Sequence, residues 1–158
     1  MSILEAIQNT GFADWMRVSE WGYPIILTLH SIGLAMVVGV LFVIDLRILG
    51  VPRSLPILPL RQLMTLVWLG FVLNLITGLC LFSADAVKFF ESPTFRFKLA
   101  SVFAGVGLAV FLSSSVLGVG DKFDRREAVI PACAKVFASL SLLMWLAAIC
   151  LGRYVAYE

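Results

Sequence analysis

Charge is what this chain has least of. Asp, Glu, Lys and Arg make up only 14% of its 158 residues, against about 25% in an ordinary soluble domain, and that shortage excludes a water-facing surface over most of the molecule. The basic residues are scattered without any Lys and Arg block, and the net charge is +2, so nothing points to nucleic acid. There is one histidine, His30, and there are three cysteines, Cys80, Cys133 and Cys150, with no CxxC pair and no zinc-like spacing. A disulfide framework and a multi-ligand metal centre therefore have no support: His30 is the only metal-ligand candidate, and the cysteines read as small buried packing residues. Copper handling is weaker still, because the three Cys and five Met are scattered without paired spacing. Hydrolase, phosphate-loop and metalloprotease motifs are missing, which favours a non-enzyme. The N-terminus carries Glu5 where a signal peptide would be basic, and so reads as part of the mature protein.

What the chain has instead is long apolar runs. Apolar residues reach 61% and mean hydropathy is +1.00. Four windows are free of Asp, Glu, Lys and Arg: Trp21 to Ile44 with 24 residues, Gln62 to Ala84 with 23, Leu99 to Gly120 with 22 and Val136 to Gly152 with 17. At 1.5 Å per residue the first three cross a hydrocarbon core of roughly 30 Å, and the fourth does so if Lys135 and Arg153 snorkel to opposite headgroup layers. The pattern predicts an all-α, four-helix transmembrane bundle, one integral domain over 1–158 with spans near 24–49, 62–83, 97–119 and 135–156. Residues 2–20, with a capping box at Ser2 and Glu5 and apolar Phe12, Trp15 and Met16, read as a short interfacial helix.

Small residues recur along the spans. Thr28, Ser31, Ala35 and Gly39 in the first, Gly70, Asn74, Thr77 and Gly78 in the second, and Ser101, Gly105, Ala109 and Ser113 in the third lie at helical spacing. Such stripes let helices approach closely, and close van der Waals contact is what drives helix association in lipid. The 1–2 and 3–4 connections carry seven Lys and Arg (Arg47, Arg53, Arg61, Lys122, Arg125, Arg126, Lys135), while the other side carries five (Arg17, Lys88, Arg96, Lys98, Arg153). The positive-inside rule then puts both termini outside the cytoplasm.

Antiparallel spans bring polar residues to similar depths at the outer end. His30 lies six residues in from Pro24, about 9 Å along a helix, and Asn74 and Thr77 approach from the end of the second span, with Lys98 and Arg153 above them. His30, Asn74, Thr77, Lys98 and Arg153 thus form a candidate polar pocket. It could hold a quinone, or a haem b whose propionates meet the two cations. The structural alternative is a lone histidine giving one interhelical hydrogen bond beside two snorkelling anchors. An electron-transfer haem usually wants a second axial ligand, and only Met36 and Met144 are on offer. Lys98 in a first helical turn opposes the macrodipole, which suits an accompanying lipid phosphate or other anion. At the inner end Asp45, Arg47 and Arg61 form a charge cluster. Arg47 is read as snorkelling, and Asp45 as clamped to Arg61, Arg125 or Arg126.

The pieces LHSIGLAMVVGVLFVIDLRILG, ITGLCLF, PTFRFKL and LLMWLAAICLGRYVAY, in that order, resemble a family of small bacterial four-helix membrane proteins known as a domain of unknown function. The resemblance implies a multi-pass protein of the bacterial inner membrane and implies no activity. Two functional classes follow: an accessory or interaction subunit working through its small-residue stripes, with a membrane protein partner or a homo-oligomer as its assembly, and a haem- or quinone-binding electron-transfer protein using His30.

Overall fold

Proline, serine and glycine punctuate the apolar runs, and the helices begin and end on them. The computed structural model describes residues 3–51, 55–116 and 130–157. In that range the helices are α1 (Ile3–Gln8), α2 (Gly11–Val18), α3 (Gly22–Leu49), α4 (Ile57–Ala84), α5 (Ala86–Glu91), α6 (Pro93–Ser115) and α7 (Ala132–Tyr154), followed by a 3-10 turn at Val155–Tyr157. Ser2, Pro52, Arg53, Lys122, Arg125, Arg126 and the predicted end of the third span at 117–119 lie outside the described residues. Thr10 Oγ1 caps α2 by accepting from Ala13 N at 3.3 Å, and Ser92 Oγ caps α6 by accepting from Phe95 N at 3.2 Å, with Pro93 in the first turn. α3 stops at Gly50, whose φ of 102° is a left-handed conformation that costs a glycine little.

α3, α4, α6 and α7 are each long and apolar enough to cross a membrane. The chain is therefore an all-α, multi-pass membrane protein with short N-terminal helices, and its many exposed Leu, Val, Ile and Phe side chains face lipid. No strand occurs among the described residues. α3 is the central element: 44% of its spanning window is buried, against 17% for α4 and for α6 and 28% for the last span. It packs along α4 on one side and against α7 on another, α6 packs on α7, and α4 and α6 make little contact. The four spans thus form two pairs joined along the α3–α7 seam. The predicted interfacial segment is two helices rather than one, strapped across the end of the bundle that holds both termini, which is labelled outer after the expected orientation: Arg17 donates to Ala84 O and Gln8 O at 2.9 Å each and pairs with Asp14, while Val87 N donates to Gln8 Oε1 at 3.2 Å.

The packing corrects two expectations. Helix α3 meets α4 through Gly33, where a Cβ would lie 2.9 Å from both Asn74 N and Gly70 O. Thr28, Ser31, Ala35 and Gly39 are instead exposed, with open space over Gly39. Helical spacing groups residues into a row, but periodicity cannot say whether that row meets the neighbour. Of the cysteines, only Cys80 is partly covered. Cys133 and Cys150 are exposed and all three are free, because a thiol is apolar enough to face lipid as readily as core.

Candidate functional site

The α3–α4 contact continues toward the outer end into a polar lock. His30 Nδ1 lies 3.0 Å from Thr77 Oγ1, and Asn74 Nδ2 donates to His30 O at 2.8 Å. Thr77 Oγ1 also donates to Leu73 O at 2.7 Å. With its one proton spent there, the Thr77 oxygen accepts from the ring, which places the imidazole proton on Nδ1 and leaves Nε2 with a free lone pair. The ring lies against Gly78, where a Cβ would approach Cε1 to 3.3 Å. Three of the five predicted pocket residues are thus in contact, and each α4 member is satisfied from within the α3–α4 pair.

The two cations behave differently from one another. Lys98 turns inward from α6: its side chain passes over Gly152 of α7, where a Cβ would sit 3.4 Å from Nζ. Nζ also lies 6.0 Å from the centre of the Phe95 ring. It has no ion pair or hydrogen bond among the described residues. Arg153 is exposed on the outer surface, its guanidinium 5.2 Å from the centre of the Tyr157 ring, so it stands outside the pocket. No group of three or more His, Cys, Asp and Glu gathers among the described residues. Met36 is on the same helix as His30, against Gly70, and cannot face it as a second axial ligand.

At the inner end Asp45 makes no clamp to Arg61, and Arg125 and Arg126, its other predicted partners, lie outside the described residues. Arg47 is buried and its Nε donates to Leu55 O, tying the helix end to the 1–2 connection rather than snorkelling. Arg61 is exposed. Asp45 is 1% exposed and faces Ser141 of α7, which is 0% exposed. Neither carboxylate oxygen of Asp45, nor Ser141 Oγ, nor Trp145 Nε1 has a hydrogen-bond partner among the described residues. Ser141 and Trp145 were not expected at any site. The available signal was a tryptophan in mid-span, four residues after a serine and far from the interfacial belts where Trp usually sits. Trp145 fits because Gly105 leaves room for it: a Cβ there would lie 2.9 Å from Cε2.

Between the pairs runs an apolar cleft. Val37 and Leu41 of α3 and Trp145 of α7 form its floor, Val67 and Phe71 of α4 and Val106 and Ala109 of α6 its walls. Phe82 of α4 and Phe95 of α6, with ring centres 5.7 Å apart, bridge the two walls above it.

Comparison with protein-family models, with curated proteins and with solved structures returned no match.

Proposed function

We propose that this protein is a non-enzymatic accessory subunit of the bacterial inner membrane, with both termini on the periplasmic side, that docks a transmembrane helix of a larger assembly on the outer face of α3. The observation that carries this reading is a contrast between glycines. Gly33, Gly70 and Gly105 are each filled by a neighbouring helix, whereas Gly39 has nothing within 4 Å and Thr28, Ser31 and Ala35 in the same row are exposed. The hydroxyls of Thr28 and Ser31 bond back to Pro24 O and Leu27 O at 2.7 and 2.9 Å, so the row is smooth and self-satisfied, as a close helix contact requires. Placement in the bacterial inner membrane rests on the family resemblance, and the orientation on the distribution of Lys and Arg. The test is a photo-crosslinking residue at Ala35 or Gly39 in native membranes. An adduct with a different membrane protein, weakened at least fivefold by Gly39→Leu, is the expected result; adducts with lipid alone or with a second copy alone overturn the accessory role.

A second reading, electron transfer through a quinone or haem at His30, has one observation in its favour: the bond to Thr77 uses Nδ1, which leaves Nε2 for a ligand. A reduced-minus-oxidised spectrum with quinone extraction, on wild type and His30→Ala, decides it. A signal that disappears with His30 supports this reading, and colourless, quinone-free protein from both removes it.

A further inference from the structure

The unpartnered Lys98 and the apolar cleft belong to one feature. On α6, Lys98 shares a helix face with Gly105 and Ala109; on α3, His30 shares one with Val37 and Leu41; on α4, Asn74 continues the row of Met64, Val67 and Phe71. The faces that are apolar in the cleft therefore carry polar residues about one to two turns beyond it, at Asn74, His30 and Lys98. The outer end is cationic, while the cleft below has no polar lining and opens between two helices that hardly touch.

We propose that this feature binds one anionic phospholipid of the outer leaflet, its phosphate on Lys98 and one acyl chain between α4 and α6, beneath the Phe82–Phe95 bridge. Charge complementarity identifies the head. A half-buried ammonium without an ion pair among the described residues, inside a low-dielectric span, is strongly favoured by an adjacent phosphate, and the bilayer supplies phosphates at very high local concentration. Shape and polarity identify the tail: a narrow, wholly apolar cleft facing lipid takes a hydrocarbon chain, which loses no hydrogen bond there. The lipid then completes the bundle on the side where the chain leaves it open. This site is independent of the α3 face on which the accessory role rests.

Native mass spectrometry and phospholipid analysis of protein purified in mild detergent test the assignment, with thermal unfolding after adding phosphatidylglycerol or phosphatidylcholine. Wild-type protein should retain about one anionic phospholipid per chain and gain stability from phosphatidylglycerol but not from phosphatidylcholine. Lys98→Gln should lower retention at least fivefold and abolish the gain, Lys98→Arg should restore both, and Gly39→Leu and the exposed-site control Lys88→Gln should leave both in place. The assignment falls if wild type retains no phospholipid or retains the zwitterionic kind equally. It also falls if retention survives in Lys98→Gln, or if a quinone occupies the site.

Discussion

The two halves of α3 meet their neighbours in opposite ways. In the outer half, His30, Asn74 and Thr77 make a lock in which the α4 side chains find partners and the backbones of α3 and α4 approach to near contact at Gly33 and Gly70. About 22 Å further along the helix, Asp45 faces Ser141 across the seam with α7; these two side chains, together with Trp145 against Gly105 of α6, leave four polar atoms with no partner among the described residues. Both sets are buried in a part of the chain that crosses lipid. What separates them is which atoms come within reach. Where Gly33 and Gly70 let the α3 and α4 backbones touch, the Asn74 amide reaches a carbonyl of the opposing helix; Asp45 and Ser141 face each other without bonding, and the room at Gly105 is taken by the Trp145 ring. The outer half thus specifies the register of the α3–α4 pair, while the inner half carries a cost that the surrounding apolar packing offsets.

The sharpest way to break this comparison is at Gly33. Ala normally strengthens a helix relative to Gly by about 1 kcal/mol, yet the added methyl would meet backbone atoms at 2.9 Å. Gly33→Ala is therefore expected to destabilise the protein by about 2–3 kcal/mol, read as a lower unfolding midpoint in detergent. A midpoint at or above wild type would mean that the α3–α4 contact is looser than described.

A smaller effect of opposite sign is expected at the inner half. If Asp45 were clamped to an arginine, Asp45→Asn would lower stability. With both oxygens partnerless, Asp45→Leu instead removes two stranded buried oxygens, and the midpoint should rise by the equivalent of about 1 kcal/mol. A fall would reinstate a charged partner from beyond the described residues.

The smallest effect belongs to the lock itself. Thr77→Val keeps the shape but removes the acceptor for His30 Nδ1. Interhelical hydrogen bonds within lipid average only about 0.6 kcal/mol, so the loss should be of that order. The same change should decouple the ring, so that the His30 imidazole resonances broaden or shift in a nitrogen-15 spectrum. An unchanged ring spectrum would remove Thr77 as its partner.

Much of the architecture was legible in the chain because crossing a bilayer constrains composition directly. A backbone in hydrocarbon must be helical, and a helix of that length must be free of charge, so four windows, their proline and serine starts and the polar depth of His30, Asn74 and Thr77 could be read from Pro24, Ser92, Pro93 and the gaps between charges. Antiparallel depth placed those three residues at one level, and the fold brings them into contact. What the chain could not settle was azimuth: the row Thr28, Ser31, Ala35 and Gly39 was read as the contact face of α3, and only the folded bundle put Gly33 against α4 and left Gly39 open.

The same indeterminacy covered Arg153 and Lys98, which share a depth yet point respectively to Tyr157 on the surface and inward over Gly152. It covered Asp45 as well, whose neighbour across the seam is Ser141, far away in sequence. The sequence by itself determined that this protein spans a membrane four times, because transfer of helices into lipid depends on composition summed along each span. The tertiary structure alone decided which polar groups are paired, which are stranded and where the bundle stays open, because rotation about a helix axis is set by contacts between spans.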